Sequence, residues 1–311
     1  MASAEKSVVY VVRTADRRAG VGRMMQEYPV RELNGLDVAI KANYNSADPF
    51  PASTHLDTLS AIVDGLDGAG AGSITLAERS GMGTTADVLR AMGVADLARD
   101  KEFSLVALDS LEGMDCWERQ GNVEGFHWSN GYLFPRVFSE ADAIVTTCCL
   151  KAHRFGGHFT MSMKNSVGMV AAVDPETGYQ YMQELHSSPD QRLMIAEINT
   201  SYKPAFVIMD AIKGFSRDGP EQGPVIEPGL MLASDDRVAL DACGVAILRM
   251  YGTTPEVSRG GIFEQAQIAR AAELGIGASG PEQVKVIPLN DEAGDMCRKI
   301  ERQLQGAVIT R

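Results

Sequence analysis

Short apolar runs alternate with helix-period segments along almost the whole chain, and this alternation restricts the fold more than any other feature. SVVYVV, DVAIKAN, SITLAE, SLVALD, DAIVTTC, AFVIMD, GLMLAS and VKVIPL read as buried strands. Between them, residues 55–67, 85–92, 189–200, 235–251 and 258–274 place apolar side chains three and four apart, the spacing of an amphipathic helix. Such an order predicts an α/β fold with mostly parallel sheets flanked by helices, arranged as two lobes with a cleft between them. The turn-rich stretch 169–189 suggests a soft boundary between an N-terminal lobe, 1–170, and a C-terminal lobe, 171–311. Residues 109–136, which hold both tryptophans, fit neither period and read as an ordered excursion at a sheet edge or over a site.

Charge narrows the partners. The 311 residues carry 29 Lys and Arg against 41 Asp and Glu, a net charge of −12. Nucleic acid and anionic membrane surfaces repel such a chain. No apolar stretch approaches the length of a membrane span, and five cysteines, an odd and sparse set, do not form a secreted disulfide framework. The expectation is a cytoplasmic protein that binds a small anionic ligand, with a homo-oligomer or a redox-protein partner left open.

In open α/β sheets ligands gather beyond the carboxyl ends of strands. DVAIKANYN delivers Lys41 and Asn43 to such an end, as a counter-charge for a carboxylate or phosphate or as solvated polar groups. His55 opens the next helix. The loop after SITLAE, with Gly81, Gly83 and Thr84, either approaches an anion with its backbone or is a plain helix cap. The glycine-rich GLDGAGAGS, by contrast, closes a helix and precedes a strand, which is the order of a C-cap and not of a dinucleotide loop.

The run from Ala143 to Val173 is the most unusual: 31 residues without an acid, containing Lys151, His153, Arg154, His158 and Lys164. It reads as an anion cradle, as a transition-metal site using His153, His158 and Cys149, or as a Met-rich core segment with incidental charge. Gly156 and Gly157 make the backbone between the histidines pliant. Further on, Asp210 ends strand AFVIMD, and Asp241 shares a helix face with Gly244, Val245 and Leu248, so that it points inward and needs a partner.

Taken as a set, IKANYN, Thr54-His55, LAERSG, CLKAH leading to MKNSVG, MDAIKGF with DGP, and SDDRVALDA resemble the family known as domain of unknown function 362, over about residues 36–273. The resemblance marks Lys151, His153, Lys164 and Asn165 as the shared part; Lys41 stands at the lysine of the family's strand-end motif, and Glu78, in LAERSG, joins Lys41, Asn43, His55, Gly81, Gly83, Thr84, Lys151 and Asn165 as candidate substrate-binding residues. Ala42, Cys148, Cys149 and the Asp236-Arg237 pair depart from the family pattern. Many relatives carry ferredoxin-like cysteine clusters; this chain has no iron–sulfur motif, which leaves a redox accessory role without its own cluster. The His153, Gly156, Lys164 arrangement is also similar, distantly, to a segment of nickel-pincer lactate racemases, which implies hydride chemistry on a hydroxy acid. The readings that result are an enzyme binding a small carboxylate or phosphate, with Lys41, Lys151 and Lys164 holding the anion, His153 as acid–base and Asp210 or Asp241 orienting a basic group; a redox accessory protein; or a non-catalytic anion-binding module. An isomerase, racemase or oxidoreductase assisted by a divalent transition metal is the enzyme class in view.

Overall fold

The computed structural model describes residues 6–155 and 158–306. Its strands are β1 (Ser7–Arg13), β2 (Asp37–Lys41), β3 (Ser73–Glu78), β4 (Ser104–Ala107), β5 (Trp117–Gln120), β6 (Tyr132–Pro135), β7 (Ala143–Lys151), β8 (Phe206–Phe215), β9 (Val225–Ile226), β10 (Leu230–Ser234) and β11 (Val284–Pro288). The helices are α1 (Arg17–Met25), α2 (Leu56–Gly68), α3 (Thr85–Ala91), α4 (Val94–Asp100), α5 (Arg136–Ser139), α6 (Ser162–Asn165), α7 (Tyr181–Ser187), α8 (Gln191–Ile198), α9 (Arg237–Tyr251), α10 (Pro255–Ser258), α11 (Ala266–Glu273) and α12 (Gly294–Leu304).

All eight expected strands join one sheet in the order β11-β1-β10-β8-β7-β2-β3-β4, with β9 paired to β8. The run β8-β7-β2-β3-β4 is parallel throughout, and β10 is antiparallel to both of its neighbours. β7 is buried along nearly its whole length, as a central parallel strand covered on both faces must be. The pairing of β7 with β8 carries the sheet across residue 170.

Period-2 alternation sorts the strand residues onto two faces. Val38, Ile40, Leu76, Val145 and Ile208 pack toward α1 and α2 with Met24, Leu59 and Ile62. On the opposite face Cys148, Leu150, Val207 and Met209 meet α9, while Ala39, Ala77 and Ile144 meet α8 and the β5–β6 hairpin. That hairpin and its flanking turns are what residues 109–136 form; Trp117 and Trp128 are buried in it, and Trp128 Nε1 donates to the Met194 carbonyl at 3.2 Å. GLDGAGAGS does close α2, with Gly70 at φ +81° just beyond the cap at Ala69. Among the described residues no helix is long and apolar enough to cross a membrane.

Candidate functional site

Because β2, β3 and β7 run parallel, their carboxyl ends fall side by side, and the last residues of the three strands are Lys41, Glu78 and Lys151. They form the floor of a cavity of about 240 Å³, at the strand-end position where α/β sheets hold ligands. Its walls are Asn43, Tyr44 and Asn45 after β2, Arg79, Gly81 and Met82 after β3, His153 to Phe155 after β7, and Lys164 and Asn165 on α6.

The floor is wired through Glu78. One carboxylate oxygen pairs with Lys41 Nζ at 2.5 Å and accepts from Arg79 N at 2.9 Å; the other accepts from Tyr44 N at 3.0 Å. Lys41 also donates to the Ala42 carbonyl at 2.6 Å and to Asn165 Oδ1 at 3.1 Å. Both charged groups are fully buried, and desolvation outweighs their attraction: it lowers the Lys41 pKa and raises that of Glu78. Gly168 leaves room for the pair, since a Cβ there would lie 2.9 Å from Lys41 Cε and 3.1 Å from a Glu78 carboxylate oxygen.

Of the remaining cavity cations, Lys151, Arg79 and Lys164 have no acid within ion-pair distance among the described residues. Lys151 Nζ donates to the Ala52 carbonyl at 2.5 Å, and Arg79 donates to the Val170 and Val167 carbonyls, both at 2.8 Å. Lys164 has no carboxylate within ion-pair distance among the described residues; burial and the nearby Arg192, Lys151 and Arg79 charges push its pKa down to about 7. Arg192, a buried residue of α8, donates to the Phe155 carbonyl at 3.0 Å and leaves one guanidinium nitrogen unpartnered. At the mouth Arg154 pairs with Glu221. Of the charged lining residues, five are basic (Lys41, Arg79, Lys151, Arg154, Lys164) and two are acidic, each acid already engaged.

α6 holds Lys164 in place through an anchor outside the cavity. The Asp241 carboxylate on α9 accepts from Ser162 N at 2.8 Å and Met163 N at 3.0 Å, capping the start of α6 from another element. Burial raises its pKa to about 7 against those two hydrogen bonds. Gly244 lets α9 approach this turn, because a Cβ there would meet the Met161 sulfur.

The structure therefore gathers Lys41, Asn43, Glu78, Gly81, Lys151, His153, Lys164 and Asn165 around one cavity. Several expectations need correction. Asp210 and Asp241 do not line it: Asp210 is occupied by Arg17 Nε at 2.7 Å and Thr58 Oγ1 at 2.8 Å on the α1–α2 face, and Asp241 caps α6. His55 caps α2, accepting from Asp57 N at 3.1 Å, and Thr84 bonds Asp87 at the start of α3, so these two and Gly83 lie off the lining. His153 is not poised near neutrality; burial and the neighbouring Lys164 and Arg192 charges push its pKa down to about 2, leaving a neutral ring whose Nδ1 sits 3.3 Å from the Phe155 carbonyl. The three candidate metal ligands do not converge either. Cys149 lies beside Asn43 with its pKa pushed up to about 12 by burial, and among the described residues no three His, Cys, Asp or Glu side chains are grouped to share a metal ion. Gly156 and Gly157 lie outside the described residues. Sequence reasoning missed Arg79 as a functional residue, although it follows Glu78 at a strand end, and Arg192, for which α8 offers no local signal.

A sequence profile of the family described as Domain of unknown function (DUF362) matches residues 38–246. The chain belongs to this family. Every residue lining the cavity falls inside the matched segment, so the site is part of the DUF362 core. Among solved structures the chain is similar to the lactate racemase apoprotein from Thermoanaerobacterium thermosaccharolyticum, at 16% identity and a TM-score of 0.48. That likeness covers 78% of this chain and 57% of the racemase chain, so the DUF362 protein spans little more than half of that protein's length. No curated protein matches it.

Proposed function

We propose that this DUF362 protein is an acid–base enzyme that binds a small carboxylate or phosphate in the strand-end cavity and exchanges a proton with it through Lys164. The observation that carries the reading is the unmatched charge: Arg79, Lys151 and Lys164 have no carboxylate within ion-pair distance among the described residues, in a chain of net charge −12. Buried cations without a counter-charge are costly unless an anion supplies one. The Glu78–Lys41 pair and Asn165 fix the floor, Lys151 and Arg79 hold the anionic group, and Lys164 stands beside it. An amine with a pKa near 7 is populated in both protonation states at neutral pH, which suits removal of a proton from an atom adjacent to the bound anion. The charge that develops is then opposed by cations already in position. His153, neutral over the same range, contributes hydrogen bonding and not charge.

Inorganic phosphate and acetate titrated by calorimetry at pH 6 and pH 8.5 test the binding step, with tighter binding of acetate, ionised at both values, expected at pH 6, where Lys164 is protonated. Turnover is read by proton NMR in D2O on small carboxylates bearing an acidic Cα–H, as loss of that signal in the wild type and not in Lys164→Met. Absence of saturable binding at both pH values, or binding unaltered by Lys164→Met, would refute the reading.

A further inference from the structure

The cavity is cationic at its floor and apolar at its mouth. Exposed large hydrophobic side chains are few among the described residues, namely Met82, Val123, Phe155, Val173 and Val225, and two of them border this one cavity. Met82, 47% exposed, comes from the loop after β3, and Phe155, 62% exposed, from the segment after β7, 73 positions along the chain. Val167 and Met182 add apolar lining to the same cavity.

Phe155 is not exposed for lack of anything to hold it. Its carbonyl accepts from the buried Arg192 at 3.0 Å and faces His153 Nδ1 at 3.3 Å. The Arg154 guanidinium lies 4.6 Å from the centre of its ring while pairing with Glu221. The backbone contacts fix the residue at the entrance, Arg154 and His153 flank its ring, and the ring surface that stays exposed gains free energy when an apolar group covers it. A cavity of about 240 Å³ is smaller than the ~300–1,000 Å³ of sites that enclose drug-sized ligands. The anionic head fills the floor, and a longer ligand extends past the ring.

From this juxtaposition we infer that the ligand is an amphipathic anion: a carboxylate or phosphate head seated among Lys151, Lys164 and Arg79, carrying an aromatic or branched apolar group that packs between Phe155 and Met82. The inference rests on the anion-binding reading above and adds the class of the substituent.

Acetate against phenylacetate, and inorganic phosphate against phenyl phosphate, titrated calorimetrically into the full chain, provide the test. The expected result is that each phenyl compound binds about ten-fold or more tightly than its short counterpart, the lower end of what a modest apolar contact contributes. In Phe155→Ala and in Met82→Ala that ratio falls toward one, whereas in Lys164→Met both members of a pair weaken together and the ratio persists. Both rim residues are exposed, so neither substitution threatens folding. Equal binding of phenyl and short anions by the wild type, or a preference that survives both rim substitutions, overturns this inference and leaves the anion site standing. If none of the four compounds binds, the anion-binding reading itself fails, and this inference with it.

Discussion

Replacing Lys41 by methionine removes the cation and keeps most of the volume. Glu78 is left fully buried, with Tyr44 N and Arg79 N as its remaining hydrogen-bond donors. Breaking a buried pair from one side costs about 3–5 kcal/mol, because the surviving charge has no partner. At about 2.1 cal/mol/K of unfolding entropy per residue, a chain of this length has about 0.65 kcal/mol/K, so the melting temperature falls by roughly 5–8 °C. The sign of the pH dependence follows from Glu78. Burial already raises its pKa in the wild type, and loss of Lys41 raises it further. A carboxyl whose folded pKa lies above its unfolded value of about 4.3 stabilises the fold when protonated, and that stability is lost as pH rises through the folded pKa. The deficit of Lys41→Met is therefore larger at pH 8 than at pH 5. Thermal unfolding followed by circular dichroism at both pH values, wild type beside variant, measures it. Adding Glu78→Gln, which removes the stranded charge and keeps one carbonyl acceptor, restores part of the loss and flattens the pH dependence. A shift below about 2 °C, or a deficit equal at the two pH values, would mean that water reaches the pair and that the floor is not the dry ionic contact described.

Gly168→Ala places a methyl group 2.9 Å from Lys41 Cε and 3.1 Å from a Glu78 carboxylate oxygen, and destabilises by about 1–3 kcal/mol in urea titrations. Asp241→Ala orphans the Ser162 and Met163 N–H groups and is expected to cost about 2–5 kcal/mol; a milder Asp241→Asn, which keeps an acceptor, should weaken phosphate binding less than Asp241→Ala does. Lys164 titrates lower in the fold than in the unfolded chain, so its contribution to stability rises with pH from about 7 toward the free value near 10.4, and Lys164→Met removes that slope from a stability–pH profile. The affinity for acetate, which is ionised throughout, runs the other way, falling as pH rises through about 7 in the wild type and staying flat over that range in Lys164→Met.

The parallel sheet was legible because its strands are continuous apolar runs, and their carboxyl ends could be found from the polar residues that follow. Lys41 emerges from that logic, whereas Lys151 and Lys164 stood out through the acid-free run 143–173 and Glu78 through the family resemblance. The helix α1, RRAGVGRMM, was missed: it begins with two arginines and carries two glycines, and only packing against α2 and β10 defines its buried side. The β5–β6 hairpin was hidden for a similar reason, since strands of four residues are too short to show a period. Asp241 faces inward as its helix spacing predicts, whereas Asp210, expected at a strand end, lies in the middle of β8 because that strand runs on to Phe215; their partners, the start of α6 and Arg17, are 79 and 193 positions away along the chain. The depressed pKa of His153 depends on Lys164 and Arg192 closing in from α6 and α8, which spacing alone does not reveal.

β1, the first strand, lies between β10 and β11, the last two long strands. A chain emerging from the ribosome must therefore hold β1 unpaired until β10 has been made. The parallel block β2-β3-β4-β7-β8, which carries the cavity floor, has its partners earlier and is free to assemble first. Until β10 is made, β8 presents an open hydrogen-bonding edge with Val207, Ile208 and Met209 along it, a surface prone to pairing with other chains. Removing β1 would leave β10 with an open edge while taking no residue from the cavity lining, and so would affect yield and aggregation more than the chemistry of the site.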